Sequence, residues 1–188
     1  VAVIGSGSGG GVAANILNKK YEVGIFEKGS YGNGMTNNET FGYHNFYDTN
    51  GIQQTRGYKV LLLAGMGIGG GTSVNWTTSL RTPNQILNEW DTLTKQDNYF
   101  NSSEFRKSMD VVCKELNVDI KNNRIPQKEE KLAEGLELNN LSYKIIPRNT
   151  SNNECTESGF STFGRYDESI NSTNKIWFSE ERFEPNNV

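Results

Sequence analysis

The first hydrophobic block, Val1 to Ile4, is a short β-branched run closed by Gly5, and it predicts a central strand. Gly10 to Asn18 follows with Val12, Ala13, Ile16 and Leu17 at helical spacing. Tyr21 to Glu27 predicts a second strand, weakened by Gly24 inside it. A strand, a glycine loop, a helix and a second strand therefore fit within the opening stretch. Gly29 to Gly57 is polar and aromatic and predicts a long excursion, with short strands near Gly42 to Tyr47. Tyr58 to Ala64 is apolar and runs into the glycine-dense Gly65 to Gly71.

Further along, the period changes to helical. Thr82-Pro83 predicts a helix start, with Thr82 as cap and Pro83 in the first turn, where a missing N–H does no harm. Ile86, Leu87, Trp90 and Leu93 would form its inner stripe. Ser103 is expected to cap a helix carrying Phe105, Met109, Val112, Cys113 and Leu116 on one face. A third helix is expected from about Lys128 to Asn139, and a strand from Tyr143 to Pro147. From Asn149 onward the chain is polar and irregular. There is no internal repeat. The Asn/Ser cluster at 98–103 suggests a division into 1–100 and 101–188.

Composition alters this picture in one respect. Apolar residues make up 34% of the 188, where nearly half is usual for a compact domain. The gap is filled by 24 asparagines rather than by charge, so it is not the charge-driven signature of disorder. A net charge of −3 offers no basic field for nucleic acid. The longest strongly apolar run, Val60 to Ala64, falls far short of a membrane span. Two cysteines, Cys113 and Cys155, build no disulfide framework, and a single histidine, His44, builds no multi-histidine metal site. The chain opens on Val1 without a Met and breaks off at Pro185-Asn-Asn-Val, so it is expected to be a piece of a longer polypeptide.

The first chemistry lies in Gly5-Ser6-Gly7-Ser8-Gly9-Gly10, a G-x-G-x-x-G directly after one strand and before a helix. Gly5 makes the tight turn, Gly7 admits a pyrophosphate to the backbone, and Gly10 lets helix and strand pack closely. The helix N-terminus then offers free N–H groups and roughly half a positive charge to phosphates. Glu27, at the end of the second strand, would accept ribose hydroxyls and repel a 2′-phosphate. The hexapeptide alone would also suit a simple glycine-rich turn. With the strand, the helix and Glu27 in order it predicts an α/β, Rossmann-like nucleotide-binding unit. The motif does not separate FAD from NAD.

The second glycine loop runs Gly65-Met-Gly-Ile-Gly-Gly-Gly71-Thr72-Ser73-Val74-Asn75-Trp76. It can lay bare N–H groups against a flat or anionic ligand. A flexible linker is the competing reading, but linkers do not usually run into Val-Asn-Trp. This stretch resembles the glycine-rich signature of the glucose–methanol–choline (GMC) oxidoreductases, which are FAD enzymes. The longer run Gly69 to Trp90 is most similar to the long-chain fatty alcohol oxidase branch of that family. Ile146-Pro-Arg-Asn149 and Cys155 to Gly159 share weaker features with it.

The resemblance implies a GMC-type FAD-binding fold over about 1–100, with the excursion at 29–57, and part of a substrate domain over 101–188. It implies that Gly5, Gly7, Gly10 and Glu27 hold the ADP half, while Gly70, Gly71 and Asn75 lie near the flavin. Some relatives bond FAD covalently through a histidine just before this Asn. Val74 stands there, which implies dissociable FAD. The implied reaction passes a hydride from an alcohol to flavin N5, with oxygen as the acceptor that follows. The family base lies near the C-terminus and is expected outside this chain, so no residue here is assigned as catalytic. His44 does not match its position.

Other features have plainer readings. Cys113 reads as core on its helix stripe, and a Cys113–Cys155 bridge is a minor alternative. The Phe41 to Tyr47 cluster suits either a substrate path or local packing. Lys128 to Lys131 reads as a solvated helix face. The Asn-x-Ser/Thr triplets at Asn38, Asn75, Asn101, Asn149 and Asn171 are expected by chance in so asparagine-rich a chain. The competing functions are an NAD-linked dehydrogenase, which leaves the second loop without a role, and a truncated non-catalytic nucleotide-binding module.

Overall fold

The computed structural model describes residues 1–30, 38–121, 125–151, 170 and 172–178. Cys155, Gly159, Asn171 and the Cys113–Cys155 bridge considered above lie wholly or partly outside them. The described chain mixes helices with small sheets, in keeping with the expected α/β class. It divides into two compact units: Val1–Thr77 with the described residues after 153, and Thr78–Asn152.

In the first unit, β1 (Ala2–Ile4), α1 (Ser8–Leu17) and β2 (Gly24–Phe26) follow one another as the sequence predicts. β1 and β2 pair in parallel, Val3 opposite Ile25, and a parallel pair needs a crossover such as α1. Gly24 opens the second strand, and its N–H donates to the Val1 carbonyl at 2.9 Å. Strand β2 is shorter than expected, because the chain leaves α1 through a turn at Lys19–Tyr21.

The expected strands near Gly42 to Tyr47 are not found. That segment forms most of α2 (Glu39–Phe46), and strand β3 (Tyr47–Gln54) begins only where the helix ends. The reason is local. Asn38 caps the helix by accepting the Phe41 N–H at 3.0 Å, which outweighs the strand preference of the aromatics. β3 pairs antiparallel with β4 (Leu61–Gly65), with Ile52 opposite Leu63. Phe46, Tyr47 and Val74 are buried together with Tyr43 packed on them.

The second unit holds α3 (Asn84–Thr94), α4 (Ser103–Glu115), β5 (Val118–Asp119), α5 (Gln127–Leu138) and β6 (Arg148–Asn149). The first unit resumes with α6 (Thr173–Trp177), which packs near α1. Both expected caps shift by one residue. Pro83, not Thr82, is the residue before α3 and supplies no side-chain cap, and Ser102, not Ser103, caps α4 by accepting the Phe105 N–H. Of the inner stripe expected on α3, Leu87 is buried but Trp90 and Leu93 are exposed. Tyr143 to Pro147 is not a strand; pairing begins at Arg148, against Asp119 of β5.

Cys113 is half-buried rather than core, and the Arg81 guanidinium lies against its thiol. The Asn/Ser cluster at 98–103 lies inside a unit instead of between two. Phe100 packs edge-on to Trp90 and to Phe105, with ring centroids 5.5 and 5.3 Å apart, which ties α3 to α4 across the cluster.

Candidate cofactor site

The first glycine loop is built as its spacing predicts. Gly5 has φ +83°, a conformation that costs other L-residues about 1–2 kcal/mol, and its N–H donates to the Phe26 carbonyl at 2.8 Å. This turn ends β1 and aims the chain into α1. Gly10 sits where helix meets strand: a Cβ there would overlap the Gly5 carbonyl. Gly7 occupies the cap position of α1 without a capping side chain, and the first turn carries no acidic residue. A Cβ on Gly7 or Gly9 would meet nothing within 4 Å. The first N–H groups of a ten-residue helix are thus left to an outside acceptor beside open space, which suits a pyrophosphate.

The second loop follows β4 and closes as a single 3-10 turn over Gly70–Thr72. The Gly70 N–H reaches the Gly67 carbonyl at 2.8 Å, and the Thr72 N–H reaches the Gly69 carbonyl at 3.0 Å. Gly70 has φ +52°, and a Cβ there would lie 3.0 Å from Gly7 Cα. The two glycine loops are therefore in backbone contact, although Gly7 and Gly70 are more than sixty positions apart in the sequence. Gly71 faces open space, like Gly7.

Glu27 stands at the junction. Its Oε2 accepts the Ser6 N–H at 2.9 Å and the Ser6 hydroxyl at 2.7 Å, and its Oε1 accepts the Gly29 N–H at 3.0 Å. Burial pushes its pKa up, but the N–H groups of Gly29, Ser6 and Gly67 and the Ser6 hydroxyl outweigh that and hold the carboxyl below its ordinary value. The structure thus places Gly5, Gly7, Gly10, Glu27, Gly70 and Gly71 in one neighbourhood. Glu27 already serves donors from the loops themselves.

Asn75 lies at the foot of the second loop, and its amide is likewise engaged. Nδ2 donates to the Gly71 and Thr72 carbonyls at 2.8 and 2.9 Å, and Oδ1 accepts the Thr77 N–H. Val74 is buried against Phe46 and Tyr47. His44 is exposed on α2.

Sequence reasoning passed over three residues here. Ser6 occupies a variable position of G-x-G-x-x-G, which the motif leaves blank, yet it is fully buried. Gly29 carries no motif and Gly65 was read only as the start of the second loop, but a Cβ on either would collide with second-loop backbone, at Gly67 and Gly71 respectively. Glycine at two positions flanking a strand end was the available signal.

Residues 7–187 match the family model of GMC oxidoreductase. The chain belongs to the GMC oxidoreductase family. Among its relatives, this GMC chain is 36% identical to the long-chain-alcohol oxidase FAO4A of Arabidopsis thaliana, over 93% of the chain and 24% of that protein. It is 34% identical to FAO4B over 93% of the chain and 23% of the relative, and 36% identical to FAO1 over 79% and 20%. Both are also named long-chain-alcohol oxidases of Arabidopsis thaliana. The chain thus spans about a quarter of the length of these curated relatives.

Proposed function

We propose that this GMC chain is the FAD-holding part of an oxidoreductase that converts a long-chain primary alcohol to an aldehyde. The observation that carries this is the backbone contact of the two glycine loops beside an uncapped helix N-terminus. One loop alone would suit many nucleotides. Two abutting loops, each with open space at a glycine, suit an elongated ligand with an anionic middle and a flat end.

In this reading the βαβ opening is the start of a Rossmann-like fold. Gly5 and Gly10 shape the first loop, Gly7 admits the pyrophosphate, and α1 directs its N-terminal N–H groups at it. Glu27 would accept a ribose hydroxyl beside the loop donors that it already holds. Gly70 and Gly71 would lie near the flavin end, and Asn75 keeps that turn closed through its bonds to Gly71 and Thr72. Bound FAD supplies the hydride acceptor for the alcohol carbon. The residues of this chain bind and orient; no residue of it is assigned the proton of the alcohol hydroxyl.

Val74 supports dissociable FAD, since an aliphatic side chain buried on Phe46 and Tyr47 offers no bond to a flavin. The names of the relatives support an alcohol as substrate and oxygen as acceptor. The FAD role falls to Val1–Thr77, a shorter stretch than the 1–100 expected from sequence, and the described residues after 153, expected in the substrate domain, group with that unit instead. The substrate-domain role expected of 101–188 is assigned to the unit Thr78–Asn152.

The test uses the full-length parent protein. It is expected to purify yellow, to release its flavin on denaturation, and to bleach when a long-chain primary alcohol is added without oxygen. A colourless protein that binds NAD would overturn the proposal.

A further inference from the structure

A serine in a glycine turn ordinarily bonds within its own turn, to backbone two to four residues away. Ser6 does not. Its hydroxyl donates to Glu27, 21 residues on, at 2.7 Å, and accepts the N–H of Gly69, 63 residues on, at 3.0 Å. The hydroxyl has a single proton, and the carboxylate is the better acceptor for it than the Gly67 carbonyl at 3.4 Å. The result is a directed chain, from the Gly69 N–H through the Ser6 O–H to the Glu27 carboxylate. Each bond in such a chain polarises the next, and the charge at its end strengthens both.

Gly67, Gly69 and Gly70 contribute no side chains, and Gly7 faces Gly70 with bare backbone. At this crossing hydrogen bonds join the two loops, and Ser6 lies fully buried there. We propose that Ser6 is a positioning residue: its hydroxyl, held by Glu27, fastens the flavin-side loop to the phosphate-side loop and so sets the two halves of the cofactor cradle against each other. This gives Glu27 a role beyond the ribose, as the anchor of the fastening. The proposal rests on the FAD reading for its consequences, but the fastening itself is a property of the chain.

Two measurements on the full-length parent test it. In the cofactor-free protein, Ser6→Ala is expected to speed hydrogen exchange at the Gly69 amide about tenfold or more, because that N–H loses its acceptor. In the loaded protein, Ser6→Ala is expected to weaken FAD retention by about tenfold. It is also expected to change the absorption and fluorescence of the flavin that remains bound. A residue acting only on the phosphate side would lower retention without touching the flavin spectrum. Glu27→Gln should shift the flavin spectrum in the same direction, and the double variant should cost less than the sum of the two, since both cut one chain. The Glu27→Gln spectrum stands in if Ser6→Ala does not fold. Unchanged Gly69 exchange, an unchanged flavin spectrum, or additive losses would overturn the fastening. A wild-type protein without flavin would overturn the cofactor reading instead, and the Gly69 exchange would still decide the role of Ser6.

Discussion

At the scale of single residues, glycines that look alike in the sequence have different physical duties, and substitution should separate them. Gly10→Ala drives a methyl into the Gly5 carbonyl, where backbone must move. Overpacking at such a site should cost about 2–3 kcal/mol, read as a lower urea midpoint of the parent protein. Glu27 makes a pH prediction. Its folded carboxyl lies below the ordinary 4.5, so its contribution to stability is fully present above that value and is lost as the pH falls through the lower folded value. Glu27→Gln should therefore destabilise the protein at neutral pH, and the gap from wild type should close on acidification below 4.5; a gap that stays constant with pH would contradict the ionised anchor. The roles of Gly5 and Gly10 in shaping the first loop were legible in the sequence, because a turn and a close approach follow from spacing alone. The use made of Ser6 and Gly29 was not, since both depend on a loop that arrives from far along the chain.

At the scale of elements, local chemistry decided where the sequence could be trusted. Hydrophobic period placed β1, α1 and α3 to α5 within a few residues. It failed between Gly42 and Tyr47, where one capping asparagine commits aromatic residues to a helix. It failed again at Tyr143 to Pro147, an apolar run that is not a strand; strand pairing begins where Arg148 meets Asp119. Caps are the least visible feature, because neighbouring hydroxyls compete for one position, as Ser102 and Ser103 do. Ser102 holds the Phe105 N–H at 3.2 Å, so Ser102→Ala should cost about 1 kcal/mol, while Ser103→Ala should cost little. Thermal unfolding of the two variants side by side checks this, and equal losses would contradict the assignment. The salt bridge of Arg81 with Asp110, at 2.6 Å between exposed side chains, should by contrast contribute little.

At the scale of the whole molecule, the described sheets are two-stranded and leave apolar side chains uncovered. Ile4 is 81% exposed and Phe26 62%, on strands whose partners in a stable sheet would cover them. Leu61 to Leu63 are exposed in the same way. With about a quarter of the length of its relatives, the isolated chain is expected to oxidise no alcohol even with added FAD; turnover by it would mean that the proton acceptor lies within these residues. The family was legible because both glycine loops carry backbone requirements that few other residues meet. The most direct test of the two-loop cradle is the flavin content of Gly7→Val beside wild type in the full-length protein. A side chain at Gly7 meets open space in the protein itself, so the fold should persist with an unchanged far-ultraviolet circular dichroism spectrum, while the added methyl groups fill the place of the pyrophosphate. Wild type with bound flavin and a folded, colourless Gly7→Val is the expected result; a folded Gly7→Val with full flavin would contradict the cradle.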